Sequence, residues 1–274
     1  MLNYLRNKLK KYRAKRVFDE YDYKIVDFDL GSDGKIQYAQ WLNPLEKSKA
    51  IERSKIDFFR RFIKPGDIAI DIGAHTGDTP IPMSIAAGPG GKVLALEPNP
   101  YIFKILKVNS ELNKDKTNII PLNFAATVSD GEFFYSSSEA SFNNGGISDV
   151  APDKHGKFSM PFKVKGLNVE NYLKTNHKNE LSKIKLIKVD TEGYDKEVLK
   201  SLDGVIAEIR PAVIFECFGG LTKPEREELF DSIARHNYSL YYFSDFVADA
   251  ETTKLERGDM MNWKHFDIYA IPQS

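Results

Sequence analysis

The 274-residue chain sets 39 lysines and arginines against 39 aspartates and glutamates, so no global field draws it to nucleic acid or membrane, and any such preference has to be local. That length suits one large domain with elaborations, and the single cysteine, Cys217, excludes an internal disulfide and a cysteine-rich zinc site. There is no apolar run long enough to span a bilayer and no signal-peptide core at the start, which makes a cytoplasmic enzyme the expectation.

Residues 1 to 16 carry Arg6, Lys8, Lys10, Lys11, Arg13, Lys15 and Arg16 without one acid, while Leu2, Leu5, Leu9 and Tyr12 recur at helical spacing. A basic amphipathic helix is predicted. Two uses fit it: contact with an anionic membrane, substrate or partner, or a solvated helix packed against the main domain or a neighbouring subunit in an oligomer. From Tyr21 to Trp41 the pattern alternates around the turn Gly31-Ser-Asp-Gly34, as in a β-hairpin. After Pro44 a helix is predicted to about Ile63, with Ile56, Phe59 and Phe62 or Ile63 inward, stopping before Pro65-Gly66.

The most informative stretch runs from Lys64 to Asp78. Ile68, Ala69, Ile70 and Ile72 lack the polar alternation of a strand with one wet face, which predicts a central strand of a parallel sheet. Gly73 and Gly77 then permit a tight strand-to-helix turn that a ligand can approach closely. A dinucleotide fold wants Gly-x-Gly-x-x-Gly here. This chain has Gly73-Ala74-His75-Thr-Gly77, preceded by Asp71. A carboxylate facing that loop repels a pyrophosphate but can receive, directly or through water, the ammonium of an amino-acid moiety. The next apolar run, Lys92 to Leu96, closes on Glu97 and Pro98, placing an acid where both ribose hydroxyls of a nucleoside can be accepted. Together the two motifs suggest S-adenosylmethionine. The ring of His75 can touch cofactor or substrate, or simply stand exposed in the turn.

Strand and helix then alternate, as in a doubly wound α/β sheet. A helix is predicted over 79 to 88, another with Tyr101, Ile105, Val108 and Leu112 inward, and a third strand over Asn118 to Phe124 whose Pro121 argues for the sheet edge. Asn123, Ala125 and Ala126 are small enough to border an adenine ring and polar enough to read it, though backbone packing explains them equally well. Residues 127 to 170 interrupt the rhythm with an added strand at Gly131–Tyr135 and a serine-, asparagine- and glycine-rich stretch, part of which is expected to cover the site.

The fourth strand, Lys185 to Asp190, leads into Thr191-Glu192-Gly193-Tyr194-Asp195 and a helix bearing Val198, Leu199 and Leu202. In such folds ligands bind beyond the carboxyl ends of strands at the switch point, so Asp190 and Glu192 are expected to face the sulfonium methyl. Two acids there can deprotonate a substrate hydroxyl or hold a divalent metal that acidifies it, and either can instead cap the following helix. Glu216 ends a fifth strand on the same rim and rivals Glu192 as general base. Tyr238 to Phe243 and Phe266 to Ile271 are predicted to close the sheet as an antiparallel pair.

From about residue 60 to 272 the chain resembles the FkbM-family methyltransferases of the class I, S-adenosylmethionine-dependent type. The marks are Pro65-Gly-Asp, Asp71-Ile-Gly-Ala-His-Thr-Gly77, Glu97-Pro-Asn-Pro100 and Ile187-Lys-Val-Asp-Thr-Glu-Gly193. The resemblance implies a seven-stranded, mostly parallel Rossmann-like sheet and methyl transfer to a hydroxyl, often of a sugar or secondary metabolite. Two positions depart: His75 stands where the family usually has Asn, and Tyr194-Asp195 where it usually has His-Glu. A helix-and-hairpin extension over 1–50 and a methyltransferase domain over 51–274 are expected. The expected activity is O-methylation of a saccharide or glycan-precursor hydroxyl. The rivals are a small-metabolite methyltransferase, a nicotinamide-dependent oxidoreductase, which the missing middle glycine disfavours, and a non-catalytic glycan-binding protein.

Overall fold

The computed structural model describes residues 2–148, 158–191 and 193–273. The chain opens with α1 (Leu2–Ala14), the hairpin β1 (Tyr23–Asp29) and β2 (Lys35–Trp41), and α2 (Arg53–Phe59). Then come β3 (Ile68–Ile72), α3 (Pro80–Ala87), β4 (Lys92–Leu96), α4 (Pro100–Leu112) and β5 (Ile119–Leu122). Short strands follow: β6 (Ala125–Ala126), β7 (Gly131–Ser137), β8 (Gly146–Ser148), β9 (Phe158–Ser159) and β10 (Val164–Leu167). The last third holds α5 (Val169–Asn176), β11 (Ile184–Val189), α6 (Asp195–Ser201), α7 (Asp203–Ile209), β12 (Ala212–Cys217), α8 (Lys223–Ala234), β13 (Tyr238–Phe243), β14 (Thr252–Leu255) and β15 (Phe266–Pro272).

The main sheet has the order β14-β13-β15-β12-β11-β3-β4-β5. The five strands β12, β11, β3, β4 and β5 are parallel, and β15, β13 and β14 are added antiparallel. The seven predicted strands all lie in it. The eighth, β14, is a correction: Thr252, Thr253 and Lys254 are exposed and show no apolar alternation, and the strand exists because the edge of β13 offers it backbone partners. β3 is buried along its whole length, with Ile68, Ile70 and Ile72 in the cluster on one face of the sheet and Ala69 in the cluster on the other. Each of those isoleucines contributes about 1.5–3 kcal/mol by leaving water. β5 lies at the edge, where Pro121 withholds no ladder donor that the sheet needs. The strand order reverses between β3 and β11, and a crevice opens beyond their carboxyl ends.

The hairpin shares this core: Leu30, Ile36 and Tyr38 pack in the same cluster as Ala69 and Val93. Its buried strand, β2, is docked by two asparagines one helical turn apart, Asn109 on α4 and Asn113 at the end of that helix. Asn109 exchanges hydrogen bonds with Ala39 (2.7 and 3.2 Å) and Asn113 with Gln37 (2.8 and 2.8 Å), so their side-chain amides complete the edge of β2 as a neighbouring strand would. The helix predicted from Pro44 is shorter than expected and starts only at Arg53. Side chains hold the preceding segment as a loop: Asn43 Oδ1 accepts from Leu45 N, and Gln40 Oε1 accepts from Lys49 N at 2.7 Å. Ile56, Phe59 and Ile63 are buried as expected. α1 touches the body at its end, through buried Ala14 and the bonds Ser141 N to Ala14 O (3.0 Å) and Ala140 N to Lys15 O (3.3 Å), while Leu5, Leu9 and Tyr12 stay exposed.

Candidate active site

The turn after β3 is drawn tightly onto the two neighbouring strand ends. Gly73 N and Ala74 N donate to Leu96 O at the end of β4. Gly73 has φ +82°, and a Cβ at that position would lie 1.8 Å from the carbonyl oxygen of Asp190, so the approach of the β3 turn to the end of β11 needs glycine twice over. Glu97 ties the turn from the other side. Its carboxylate accepts from His75 N (3.0 Å) and from Asn99 N (2.8 Å), and burial raises its carboxyl to about 7 against the opposing pull of those two amides.

Below the crevice lies an ion triad whose Lys188 and Asp71 are buried. Lys188 Nζ stands 3.2 Å from both Asp71 Oδ1 and Asp190 Oδ2. Burial works against the lysine charge, but the Asp190 and Asp71 carboxylates hold it well above the usual lysine range. Burial likewise raises Asp71 to about 6, offset in part by Lys188. The Asp190 side chain is 43 % exposed and opens into the cavity, so Lys188 leaves it reachable by a ligand. The turn that follows is fixed by Asp195, whose Oδ2 accepts from Thr191 Oγ1 (2.9 Å) and from the amides of Thr191 and Gly193 (both 3.3 Å).

The apolar lining of the cavity includes Leu96, Pro98, Ile102, Phe124, Ala125 and Ala126, a slot suited to a flat ring. The serine- and asparagine-rich stretch closes the top. Asn143 to Ile147 line the cavity, with Asn143 O 3.2 Å from His75 Nε2 and Phe142 O accepting from Asn99 Nδ2 at 2.9 Å. Glu46, Lys49 and Asp78 form the far wall, Lys49 Nζ lying 3.2 Å from Glu46 and 3.5 Å from Asp78. Burial disfavours the Asp78 charge, but Lys55 and Lys49 hold it ionised, well below the usual carboxylate range. Four carboxylates therefore line the cavity, and both of its lysines are already paired to acids. Such a lining favours a cationic ligand with hydroxyl donors over a pyrophosphate, which fits S-adenosylmethionine. A second groove, lined by Lys10, Lys11, Arg13, Lys24, Tyr21 and Trp41 among others, shares Glu46 with the cavity.

Of the residues read from the sequence, Gly73, Ala74, His75, Glu97, Pro98, Ala125, Ala126 and Asp190 line the cavity. Asp71 and Gly77 are not among the lining residues: Asp71 is fully buried beneath the cavity, with Oδ1 on Lys188. Asn123 is not among the lining residues, and its amide nitrogen donates to the carbonyls of Glu97 (2.8 Å) and Pro98 (3.2 Å). Glu216 is also off the cavity; its register partner is Asp267, and its carboxylate meets His265 Nε2 at 2.6 Å. Glu192 lies outside the described residues. Among the described residues, no group of three or more His, Cys, Asp or Glu side chains is arranged to hold a metal ion. The sequence did not flag Glu46, Lys49, Asp78, Tyr135 or Tyr194. Asp78 directly follows the glycine turn, which is a local signal, whereas Glu46 and Lys49 arrive from the hairpin side and have none.

A family model described as the methyltransferase FkbM domain matches residues 71–240. Hexuronic acid methyltransferase AglP of Haloferax volcanii is 26% identical over 193 residues, spanning 70% of this chain and 68% of that protein. Among solved structures, methyltransferase FkbM from Methylobacillus flagellatus is similar at a TM-score of 0.45 and 13% identity, over 78% of this chain and 50% of that one. TYW2 from M. jannaschii in complex with AdoMet is similar at 0.44 and 15% identity, over 93% and 87%. The family match spans more than half of the chain and takes in the β3 turn, Glu97 and the end of β11, and the chain accordingly belongs to the FkbM methyltransferase family, as an S-adenosylmethionine-dependent methyltransferase.

Proposed function

We propose that the enzyme methylates a hydroxyl of a saccharide or glycan precursor, with the donor's ribose on Glu97, its adenine in the slot beside Ala125 and Ala126, and its reactive end toward Asp190. The observation that carries this reading is the pairing of an acid-lined cavity, whose lysines are all spent, with an adjoining groove that is basic, aromatic and polar. Tyr21 and Trp41 suit the apolar faces of a sugar ring, and Lys10, Lys11 and Lys24 suit an acidic substituent on it, while Arg13 is paired with Asp19 in the same lining. The relative AglP is named for a hexuronic acid, an acidic sugar, which agrees with that lining.

S-adenosylmethionine supplies an electrophilic methyl group for in-line displacement by the acceptor oxygen. Asp190 takes the hydroxyl proton as general base, a reading supported by its partly exposed carboxylate in the cavity lining. Lys188 keeps that carboxylate anchored and Asp195 fixes the turn behind it, so positioning supplies much of the rate. The loop over Asn143 to Ile147 keeps water from the reacting atoms.

The test is transfer of labelled methyl from the donor onto a panel of uronic-acid-bearing saccharides, neutral saccharides and small aromatic metabolites, with and without magnesium. Label recovered as a saccharide ether, and lost with Asp190→Asn, is the expected result. Label recovered only on the aromatic metabolites overturns the acceptor class.

A further inference from the structure

Helix α1 displays its apolar face to solvent. Tyr4, Leu5, Leu9 and Tyr12 are exposed by 70, 55, 68 and 56 %. A helix that used this face to pack on its own domain would bury them. At 100° per residue, Leu5, Leu9 and Tyr12 fall within an arc of about 60°. The body side of the helix lies about 180° away: Ala14 there is fully buried, and Asn7, Lys10 and Lys11 line the groove. Arg6 and Lys8 stand one on each flank of the apolar stripe, and both are exposed. Arg16 folds back over the outermost ring, its guanidinium 3.7 Å from the centre of Tyr12.

Charge is segregated in the same sense. Residues 1 to 16 hold seven of the 39 basic residues and none of the 39 acidic ones, which leaves 32 basic against 39 acidic in the rest of the chain. A net −7 body is repelled by an anionic surface that its +7 end attracts, so the molecule can meet such a surface in one orientation only.

We propose that α1 is a lipid-binding element that lies in the headgroup layer of an anionic bilayer, with Leu5, Leu9 and Tyr12 at the acyl boundary and Arg6 and Lys8 on lipid phosphates. An outward apolar stripe between basic flanks is what such a surface accommodates. A nucleic acid answers the charge but leaves the apolar stripe in water. A second copy docked through the same face brings two strongly basic helices together, which their repulsion opposes. Because the end of α1 is bonded to Ala140 and Ser141, the bound helix also sets the groove and the covering loop beside the lipid surface. The proposal goes beyond the acceptor assignment and does not depend on it.

The experiment is flotation of the full-length protein with phosphatidylcholine vesicles and with vesicles containing about 30% phosphatidylglycerol, at low and high salt. Wild type is expected to favour the anionic vesicles about tenfold or more, and the salt to weaken this. Leu5→Gln with Leu9→Gln, and separately Arg6→Gln with Lys8→Gln, are each expected to lower anionic-vesicle binding about tenfold while S-adenosylhomocysteine affinity and melting temperature stay unchanged. Absence of wild-type binding, or equal binding by wild type and both variant pairs, overturns the proposal. So does a dimer in sedimentation velocity that Leu5→Gln with Leu9→Gln dissolves, since a second copy would then be the occupant.

Discussion

Glu97 holds together the β3 turn and the start of α4, and on the proposed reading its remaining acceptor capacity takes the ribose hydroxyls. Those hydroxyls donate more strongly to the ionised form, and burial sets its carboxyl at about 7. Ligand affinity must then fall as pH drops through that value. Titration calorimetry with S-adenosylhomocysteine is expected to show about a tenfold weaker complex at pH 6 than at pH 8, and Glu97→Gln should flatten the profile. At Asp190, loss of the proton acceptor predicts a kcat about 100-fold lower or more in Asp190→Asn, with S-adenosylhomocysteine affinity changed far less. Glu216→Gln should leave kcat within about threefold, because its carboxylate is engaged with His265 away from the cavity. Gly73, Glu97 and Asp190 were legible because each ends an apolar strand within a short local motif. Glu46 and Lys49 were not, since only the folded hairpin brings them to the far wall. Glu216 misled for a related reason: a strand-end acid points into the crevice or away from it according to register, which the strand's own residues do not reveal.

Elements assembled by side-chain contacts show where the local pattern runs out. Length and composition of the interruption over 127–170 lead to the expectation that part of it covers the site, and Asn143 to Ile147 do line the cavity, but the anchors that seat them, Asn99 and His75, lie on other elements. Gly145 packs against β7 so closely that a Cβ would lie 2.6 Å from Ser136 O and from the Tyr135 ring. Amide exchange over 138–147 is expected to slow when S-adenosylhomocysteine is added, and Asn99→Ala should cancel much of that protection while costing about 1 kcal/mol through the lost cap on α4. The long helix predicted after Pro44 failed on the same ground: Gln40 and Asn43 capture the backbone of the next residues, and a helical pattern in the sequence does not register such competition. The strand β14 escaped notice because its pairing is donated by β13 rather than encoded in its own polar residues.

At the scale of the molecule, the switch point between β3 and β11 is both the deepest part of the fold and the floor of the site, and the Asp71–Lys188–Asp190 triad couples stability to function there. Lys188→Met strands the Asp71 carboxylate in the core, at an expected cost of about 3–5 kcal/mol. Asp71 already titrates near 6, above its ordinary value, because burial disfavours its charge. With Lys188 present that disfavour accrues between the unfolded-state value of about 3.9 and about 6, and without the lysine, which pulls the Asp71 value down, it goes on growing above 6. Melts should therefore show Lys188→Met losing more stability at pH 8 than at pH 5. On the proposed reading the cavity between Glu97 and Asp190 is the donor seat, and a crystal structure with S-adenosylhomocysteine decides it. Both ribose hydroxyls are expected within hydrogen-bonding distance of the Glu97 carboxylate, with the sulfur turned toward Asp190. A ligand bound elsewhere, or one lying in the cavity with its ribose away from Glu97, would contradict it.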